Sequence, residues 1–350
     1  MCGIFGVYNK KIEIDKKKVE ESTRLLEHRG PDGEGYYYDD INGVVLGHRR
    51  LSIIDIAGGR QPMTNEDNTI WITFNGEIYN FQEIKEDLIK KGHKFKTRCD
   101  TEVLIHGYEE YGKELPNKLN GIFAFCIWNK NRKELFLARD HFGVKPLYYY
   151  WDGNLFIFAS ELKSIINYGG IKKEINENSL LKCLIFRYTP SPNTLFKKIY
   201  KLPAASYILM NENGFSTERY WNDKIAVNKK IKEGEWVEIL EDKLKKAISR
   251  QLISDVPVGL SLSSGIDSNM ILALLNYNQK TNINTYTIAF EDNKIELNES
   301  IIAKERSDYY NCNHKSRIVT EKDYNKFFEK YLWHLEEPIG NESSLSYYFV

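Results

Sequence analysis

The sequence contains few cysteines and no CxxC pair. Its 350 residues include five cysteines, at positions 2, 99, 126, 183 and 312, and this number is odd. The scattered spacing argues against a disulfide framework or a zinc site and suits a reducing cytosol. No charged-then-apolar leader precedes the first domain, and no apolar run approaches the roughly 18 residues of a membrane-spanning helix. We therefore expect a cytoplasmic protein without a membrane anchor.

An excess of charge of either sign is also missing. Forty-nine Lys and Arg residues balance 49 Asp and Glu residues. No global field then draws the chain to nucleic acid or to an anionic membrane, so neither is expected as a partner. Low-complexity tracts and internal repeats are absent as well. An apolar content of 42% with 28% charge is ordinary for a globular protein, and the length predicts about two domains.

The most informative feature is the cysteine at position two. We expect Met1 to be removed because the next side chain is small, which would leave a thiol and a free α-amine on Cys2. An α-amine titrates at about 7.7–8.0, so it can take the thiol proton near neutral pH. One residue would then supply both nucleophile and base. The alternative is an inert cysteine before the apolar strand predicted over residues 4–8.

Periodicity predicts a layered first half. Helical spacing is found over residues 16–27 and 81–91, and a further helix follows Asp100; strands are predicted over residues 44–56, 69–74, 122–128, 134–138, 147–151 and 155–160. Strands, two helices and more strands indicate stacked sheets with helices outside. The glycines at 30, 33 and 35 do not lie between a strand and a helix, so they make no dinucleotide site. Taken alone, Asn75-Gly76 is a turn signal and Asp100 a helix N-cap.

Six segments together resemble the class II glutamine amidotransferases with an N-terminal cysteine nucleophile. They are residues 2–6 (CGIFG), 28–32 (HRGPD), 50–55 (RLSIID), 74–80 (FNGEIYN), 99–102 (CDTE) and 139–149 (RDHFGVKPLYY). The resemblance covers residues 1–220 and implies a four-layer αββα N-terminal-nucleophile hydrolase domain. The expected class for the whole chain is thus α+β, followed by α/β in the second half.

That resemblance also implies roles for particular residues. Cys2 would attack the side-chain amide of glutamine and release ammonia, with the Asn75 side chain and the Gly76 backbone forming the oxyanion hole. The glutamine-binding residues would be Arg50, Ile53, Glu77 and Asp100. A planar guanidinium suits the α-carboxylate, and two acids suit the α-ammonium.

The second half is predicted to be a parallel α/β layer after a polar linker at residues 221–235. A helix is expected over residues 236–252, then a strand over 256–262, a loop of small hydroxyl residues and glycine at 263–268, and a helix over 270–277; a strand over 284–290 and a helix over 300–310 follow. A strand, such a loop and a helix form a cradle for phosphate. The sequence has no Walker motif and no GxSxG elbow here, and an ordinary β–α turn is the alternative.

The loop resembles the SGGxDS pyrophosphatase loop of ATP-cleaving synthetases. With the first half, the order resembles the glutamine-dependent asparagine synthetases, in which ATP and Mg²⁺ activate the carboxylate of aspartate as an acyl-adenylate and ammonia displaces AMP. The implied ATP-binding residues are Leu262, Ser263, Ser264, Gly265, Asp267, Ser268 and Ile288, with Asp267 also holding the metal. Segments 298–299 and 336–338 also resemble family segments, without an assigned role.

Two departures from the family pattern stand out. Ser264 occupies the place of a glycine, and the chain ends at Val350, before the family's second loop and pyrophosphate-binding lysine. We therefore expect a complete glutaminase domain (1–220) and a truncated synthetase domain (236–350). Two rivals stay open: an enzyme of this type acting on another carboxylate, as in β-lactam synthetase-like relatives, and a non-enzymatic subunit. A homodimer is a further expectation.

Overall fold

The computed structural model describes residues 1–11, 13–224, 230–278, 283–291, 299–340 and 344–349. The chain divides into two compact units. The first comprises Met1–Lys224 together with Glu336–Pro338, and the second comprises Ile225–Leu335 together with Ile339–Val350. The boundary falls inside the predicted linker, of which residues 225–229 lie outside the described ranges.

Twelve strands are found among the described residues of the first unit. They are β1 (Gly3–Asn9), β2 (Gly33–Asp39), β3 (Val44–Arg50), β4 (Met63–Thr64), β5 (Ile70–Ile78), β6 (Gly121–Asn129), β7 (Glu134–Arg139), β8 (Tyr148–Trp151), β9 (Leu155–Ala159), β10 (Ile199–Lys201), β11 (Ser206–Asn211) and β12 (Gly214–Arg219). One sheet has the order β10-β8-β9-β1-β3-β2 and the other the order β12-β11-β7-β6-β5-β4. The recorded pairings in both sheets are antiparallel.

Helices cover the outer faces of these sheets. They are α1 (Lys16–Arg24), α2 (Phe81–Lys90), α3 (Asp100–Tyr111) and α4 (Leu162–Tyr168), and the unit has one further α-helix among its described residues, α5 (Glu177–Phe186). The first sheet carries α1 and α4, and the second carries α3, against which α2 packs. The predicted four-layer αββα arrangement is thereby confirmed.

The alternation of side chains along β1 explains why the layers stack. Ile4 joins the core between the two sheets, where it meets Cys126 and Leu137 of the second sheet. Phe5 and Val7 point to the opposite face and pack into the cluster under α1 and α4. Successive strand residues face opposite sides of a sheet, so an unbroken apolar strand is buried by both layers. The start of β1 is therefore held firmly in the interior.

One predicted helix boundary in the first unit needs correction, and two local alternatives to the functional roles do not hold. The helix expected over residues 16–27 ends at Arg24. Asn75-Gly76 is not a turn, because β5 continues through it and pairs Asn75 with Ala124 and Gly76 with Phe123 of β6. Asp100 is not an N-cap, because Cys99 holds that position and Asp100 begins α3. The strand β2 and the helices α4 and α5 were not predicted.

The second unit is a parallel α/β layer, as predicted. Its elements are α6 (Glu233–Gln251), β13 (Gly259–Ser261), α7 (Ile266–Asn278), β14 (Asn284–Phe290), α8 (Glu299–Tyr309), β15 (Asn313–Val319) and α9 (Glu321–Leu335). The strands run parallel in the order β13-β14-β15. Leu272, Leu275 and Ala303 pack the helices against this sheet. The predicted strand over 256–262 is shorter than expected, and α7 begins early enough to include Asp267 and Ser268.

A search of the described residues found no helix that is both long and apolar enough to cross a membrane.

Candidate active site

Cys2 lies immediately before β1, which is flanked by β3 and β9 in the first sheet. Its thiol contacts the first residue after β3: the backbone N–H of Leu51 donates to Sγ at 3.4 Å, and Sγ lies 3.7 Å from the Leu51 carbonyl oxygen. The Cys2 carbonyl oxygen accepts a hydrogen bond of 3.0 Å from Nε of Arg29. Both ends of the residue are thus held, and the thiol is half-buried.

All seven residues that the sequence predicted for glutamine chemistry line one pocket. They are Cys2, Arg50, Ile53, Asn75, Gly76, Glu77 and Asp100. They come from the residue before β1, from β3, the loop after β3, β5 and α3, so the fold gathers segments that are up to 98 residues apart in sequence, from position 2 to position 100. The same pocket is lined by Gln61, Thr101 and Lys145, which sequence reasoning missed. Lys145 stood within the quoted segment 139–149, but no chemical signal singled it out there.

Asn75 is the most unusual side chain in this pocket. It is fully buried, and neither its Oδ1 nor its Nδ2 has a hydrogen-bond partner among the described residues. An unpaired buried amide costs about 1–3 kcal/mol, so such groups are rare unless they await a ligand. A carboxamide of this kind, aimed into a pocket beside a thiol, is suited to bind an oxygen atom of a substrate.

Gly76 follows Asn75 at a point where the two strands are tightly packed. A Cβ atom at this position would lie 2.2 Å from the Ile122 carbonyl oxygen and 2.7 Å from Cα of Phe123. Only glycine fits this distance between β5 and β6. Gly76 also lines the pocket, so its backbone is available to a ligand there.

Arg50 organises the loop that closes one side of the pocket. Its guanidinium donates to the carbonyl oxygens of Asp55 at 2.7 Å, Ile56 at 2.8 Å and Ile54 at 3.3 Å. Asp55 has a φ of 51°, and the close carbonyl contacts help to hold this conformation. The guanidinium thus lies in the pocket wall with its orientation fixed by three backbone oxygens.

Two acids and one lysine also line this pocket. Asp100 is buried, and this burial raises the pKa of its carboxyl group to about 6, with a further contribution from the negative charge of Glu77. Burial also raises the pKa of Glu77, while the charge of Lys145 opposes this rise. The pKa of the Lys145 ammonium is lowered by burial and partly restored by Glu77. These acids are poorly solvated, so a cationic ligand would stabilise them.

The thiol itself is not poised to ionise unaided. Burial raises the pKa of Cys2, and the Leu51 N–H and the positive chain terminus lower it only in part. A nearby base is therefore needed to generate the thiolate.

In the second unit, the predicted phosphate loop is closed by its own hydrogen bonds. The hydroxyl of Ser268 accepts from the Ser263 backbone N–H at 3.2 Å, and Oγ of Ser263 accepts from the Gly265 N–H at 3.1 Å. Nδ2 of Asn269 donates to the carbonyl oxygens of Ser263 at 3.0 Å and Gly265 at 2.7 Å. Sequence reasoning missed this bracing asparagine, which lies one residue beyond the motif.

The other predicted ATP-site residues lie around the same loop. Leu262 is buried directly after β13, and Ile288 lies in the last part of β14, so both are at the carboxyl ends of parallel strands. Asp267 is exposed in the first turn of α7. Ser264 lines a surface pocket together with Arg306 of α8, a cation that was not predicted. Ligands of open parallel sheets bind at this edge.

Stacked antiparallel sheets between helical layers, with a cysteine leading into an inner strand and sharing a pocket with a buried amide that has no hydrogen-bond partner among the described residues, define the N-terminal-nucleophile hydrolase class. Comparison with known families makes this assignment more specific. The sequence model of the glutamine amidotransferase domain matches residues 1–221, and that of asparagine synthase matches residues 239–350.

Curated relatives agree with both matches. Asparagine synthetase [glutamine-hydrolyzing] 1 of Bacillus subtilis is 36% identical over 354 residues, which cover 100% of this chain and 55% of that protein. A putative asparagine synthetase [glutamine-hydrolyzing] 2 of Methanocaldococcus jannaschii is 33% identical and covers 100% of this chain and 71% of that protein. Asparagine synthetase [glutamine-hydrolyzing] 3 of B. subtilis is 34% identical, covering 97% and 56%. The chain belongs to the glutamine-hydrolysing asparagine synthetase family, as its motifs predicted, and it spans between about half and seven tenths of these relatives.

Proposed function

We propose that the first unit hydrolyses the side-chain amide of glutamine at Cys2 and releases ammonia and glutamate. The observation that carries this proposal is Asn75, whose buried amide has no hydrogen-bond partner in the described part of the chain and lines the same pocket as the thiol. A group of this kind is stabilised only when a substrate oxygen arrives.

The chemistry uses the chain terminus as the base. After removal of Met1, the α-amine of Cys2 takes the thiol proton, and the thiolate attacks the amide carbon of glutamine. The developing oxyanion accepts hydrogen bonds from the Asn75 side chain and the Gly76 backbone, each worth about 3–4 kcal/mol. The amine returns its proton to the leaving nitrogen, ammonia departs, and water hydrolyses the remaining thioester to glutamate and free thiol.

Substrate recognition follows from the charges of the pocket. Asp100 and Glu77 hold the α-ammonium, which relieves the cost of burying two acids, and Arg50 holds the α-carboxylate. Ile53 supplies an apolar wall for the side-chain methylenes. We add Lys145, which neutralises Glu77 when the pocket holds no cation.

The second unit is proposed to bind ATP and to use ammonia at an activated carboxylate of aspartate. Ser263, Ser264, Gly265 and Ser268 would hold phosphate oxygens, which fits a hydroxyl-rich loop before a helix with Arg306 beside it. Leu262 and Ile288 would border the adenine, and the exposed carboxylate of Asp267 would hold Mg²⁺. ATP supplies activation of the carboxylate when it is bound.

The proposed domains correspond to the two compact units. We propose residues 1–220 as the amidotransferase domain, 221–235 as the linker and 236–350 as the synthetase domain, although α6 already begins at Glu233. All five cysteines are free thiols, which supports the proposed cytoplasmic location. A homodimer stays a prediction, to be checked by light scattering.

Assays of glutamate and pyrophosphate release distinguish a glutaminase, a synthetase and a non-enzymatic subunit. The purified chain should produce glutamate from glutamine, and Cys2→Ala should abolish it; equal rates would refute the glutaminase. Release of pyrophosphate from ATP, measured with aspartate and with a panel of other carboxylates, identifies the acceptor. Glutamate release without any pyrophosphate would leave this chain as a glutaminase alone, and loss of both activities would favour the non-enzymatic subunit.

A further inference from the structure

Three consecutive residues from the second half of the sequence belong to the first compact unit. They are Glu336–Pro338, which follow directly after α9. They lie outside residues 1–221, where the amidotransferase match is found, and inside the range of the asparagine synthase match. The glutaminase unit is therefore completed by a segment that its own family model does not include.

Glu336 is the first of these residues and is firmly bound. Its two carboxylate oxygens accept hydrogen bonds from the backbone N–H groups of Leu162 at 2.8 Å and Lys163 at 2.7 Å. The Lys163 ammonium lies 3.5 Å away, and the Glu336 side chain is only 9% exposed. Its φ of 61° is uncommon for a residue with a side chain, and such strain persists only where surrounding contacts hold it.

Because Glu336 binds the N–H groups at the start of α4, the neighbouring acid Glu161 binds other partners. Glu161 is the N-cap residue of α4, yet its side chain makes no capping hydrogen bond. Instead its carboxylate accepts from Arg29 at 2.9 Å, contacts His28 at 3.0 Å, and pairs with Lys163 at 2.6 Å. Burial alone would raise the pKa of Glu161, but the hydrogen bond with His28 and the charges of Arg29 and Lys163 lower it to about 2.

This arrangement reaches the proposed nucleophile. Arg29, which Glu161 holds through Nη1, donates from Nε to the Cys2 carbonyl oxygen at 3.0 Å. Arg29 and Glu161 are each 9% exposed, so water screens the pair weakly. A buried series of charges thus connects Glu336 with Lys163, Glu161, Arg29 and the main chain of Cys2.

The next two residues fasten the segment. Glu337 accepts a hydrogen bond of 2.6 Å from the Leu195 backbone N–H and pairs with Lys201 at 2.7 Å. The Pro338 carbonyl oxygen lies 3.5 Å from Sγ of Cys183, which is buried. Because these anchors are independent of Glu336, a change at Glu336 alone should leave the segment attached.

We propose that Glu336 is a positioning residue for the glutaminase step, and that it fixes the main chain of Cys2 through Lys163, Glu161 and Arg29. This inference rests on the proposed glutaminase function. While Glu336 satisfies the first N–H groups of α4, Glu161 is free to hold Arg29. Without the Glu336 carboxylate those N–H groups lose their acceptor, and the carboxylate of Glu161, which is the N-cap residue of α4, would turn to them. Its diversion would release Arg29 and loosen the nucleophile.

The test compares Glu336→Gln with Glu329→Gln, a matched change at an exposed glutamate of α9. Glu336→Gln should lower the glutaminase kcat by about five- to tenfold and leave KM for glutamine within about twofold, because the nucleophile moves while the zwitterion contacts remain. Glu329→Gln should change neither. An unchanged kcat for Glu336→Gln would overturn the proposal.

A double-mutant cycle tests the route. Lys163 pairs with both Glu161 and Glu336. The effect of Lys163→Met on kcat and the effect of Glu336→Gln should therefore be strongly non-additive. Effects that simply multiply would show that Glu336 does not act through Lys163.

A second readout does not depend on glutaminase activity. Alkylation of individual cysteines by iodoacetamide, followed by peptide mass spectrometry, should show a rate at Cys2 changed by at least about threefold in Glu336→Gln relative to Glu329→Gln. Buried Cys126 reports unfolding, and Cys183 reports detachment of Pro338; both should stay protected. An unchanged Cys2 rate would refute the inference even if the wild-type chain showed no glutaminase, whereas absence of glutaminase from the wild-type chain would refute the proposed function.

Discussion

The carboxylate of Asp100 accepts a hydrogen bond of 3.0 Å from the backbone N–H of Ile78, which joins the first residue of α3 to the last residue of β5. This contact places the acid beside the segment that carries Asn75, Gly76 and Glu77. Burial raises the pKa of Asp100 to about 6 despite that hydrogen bond, and the charge of Glu77 adds to the rise. The protein therefore keeps an acid where its ionised form is disfavoured.

Replacing Asp100 with asparagine should stabilise the ligand-free protein above pH 7 by on the order of 2–3 kcal/mol. A carboxyl group with a raised folded-state pKa contributes stability below its unfolded pKa near 4, and that contribution is lost as the pH rises through about 6. Urea unfolding at pH 4.5 and 7.5 measures the difference. Asp223→Asn, at an exposed position, is the control and should change little. Equal stabilities of wild type and Asp100→Asn at pH 7.5 would contradict this view.

The same acid should impose a pH dependence on glutamine use. Only the ionised carboxylate holds the α-ammonium, so KM for glutamine should rise as the pH falls below about 6. The expected rise is about tenfold per pH unit well below the pKa. Steady-state glutamate release between pH 5 and 8 measures it. A flat KM profile across this range would remove Asp100 from substrate binding.

Asn75→Ala should lower the glutaminase kcat by about 10²–10³-fold, the usual cost of losing one oxyanion donor. The unfolding free energy should change by only about 1 kcal/mol, since removal of an unpaired amide offsets part of the lost packing. Asn65→Ala is the matched control. That buried asparagine bonds the backbone of Thr69 and Ile70, so its loss should lower stability and spare kcat. If Asn75→Ala lowered stability and spared kcat while Asn65→Ala lowered kcat, the proposed oxyanion role of Asn75 would be wrong.

Gly76→Ala should lower both stability and kcat. The added Cβ would lie 2.2 Å from the Ile122 carbonyl oxygen, so β5 and β6 must separate, at a cost of about 1–3 kcal/mol. Gly33→Ala is the control, because nothing lies within 4 Å of a Cβ there. Thermal unfolding and glutamate release measure the two effects. A fully stable and active Gly76→Ala would show that the strand spacing is not needed.

The residues of the candidate pocket were predicted from the resemblance of the motifs to one family, since each residue taken alone was ambiguous. A cysteine at position two, an arginine, an asparagine–glycine pair and two acids suit hydrolysis of an amide on a zwitterion. Lys145 was not predicted, because a lysine between Val144 and Pro146 has no local signature of burial. Asn269 and Arg306 were not predicted for a similar reason. Both lie outside the motif at residues 263–268, and only the fold brings them next to it.

What the sequence by itself determined were the strand over residues 4–8 and the parallel layer of the second half, because each depends on side-chain periodicity over a few residues. The order of the motifs was likewise present in the sequence. Tertiary structure alone decided that Asn75-Gly76 continues a strand, since pairing with β6 outweighs the local turn preference. It also decided that Asp100 bonds Ile78 across elements, and that Glu336 serves a helix 174 residues away in sequence. A carboxylate binds whichever N–H groups the fold brings near it, and no local pattern records which ones those are.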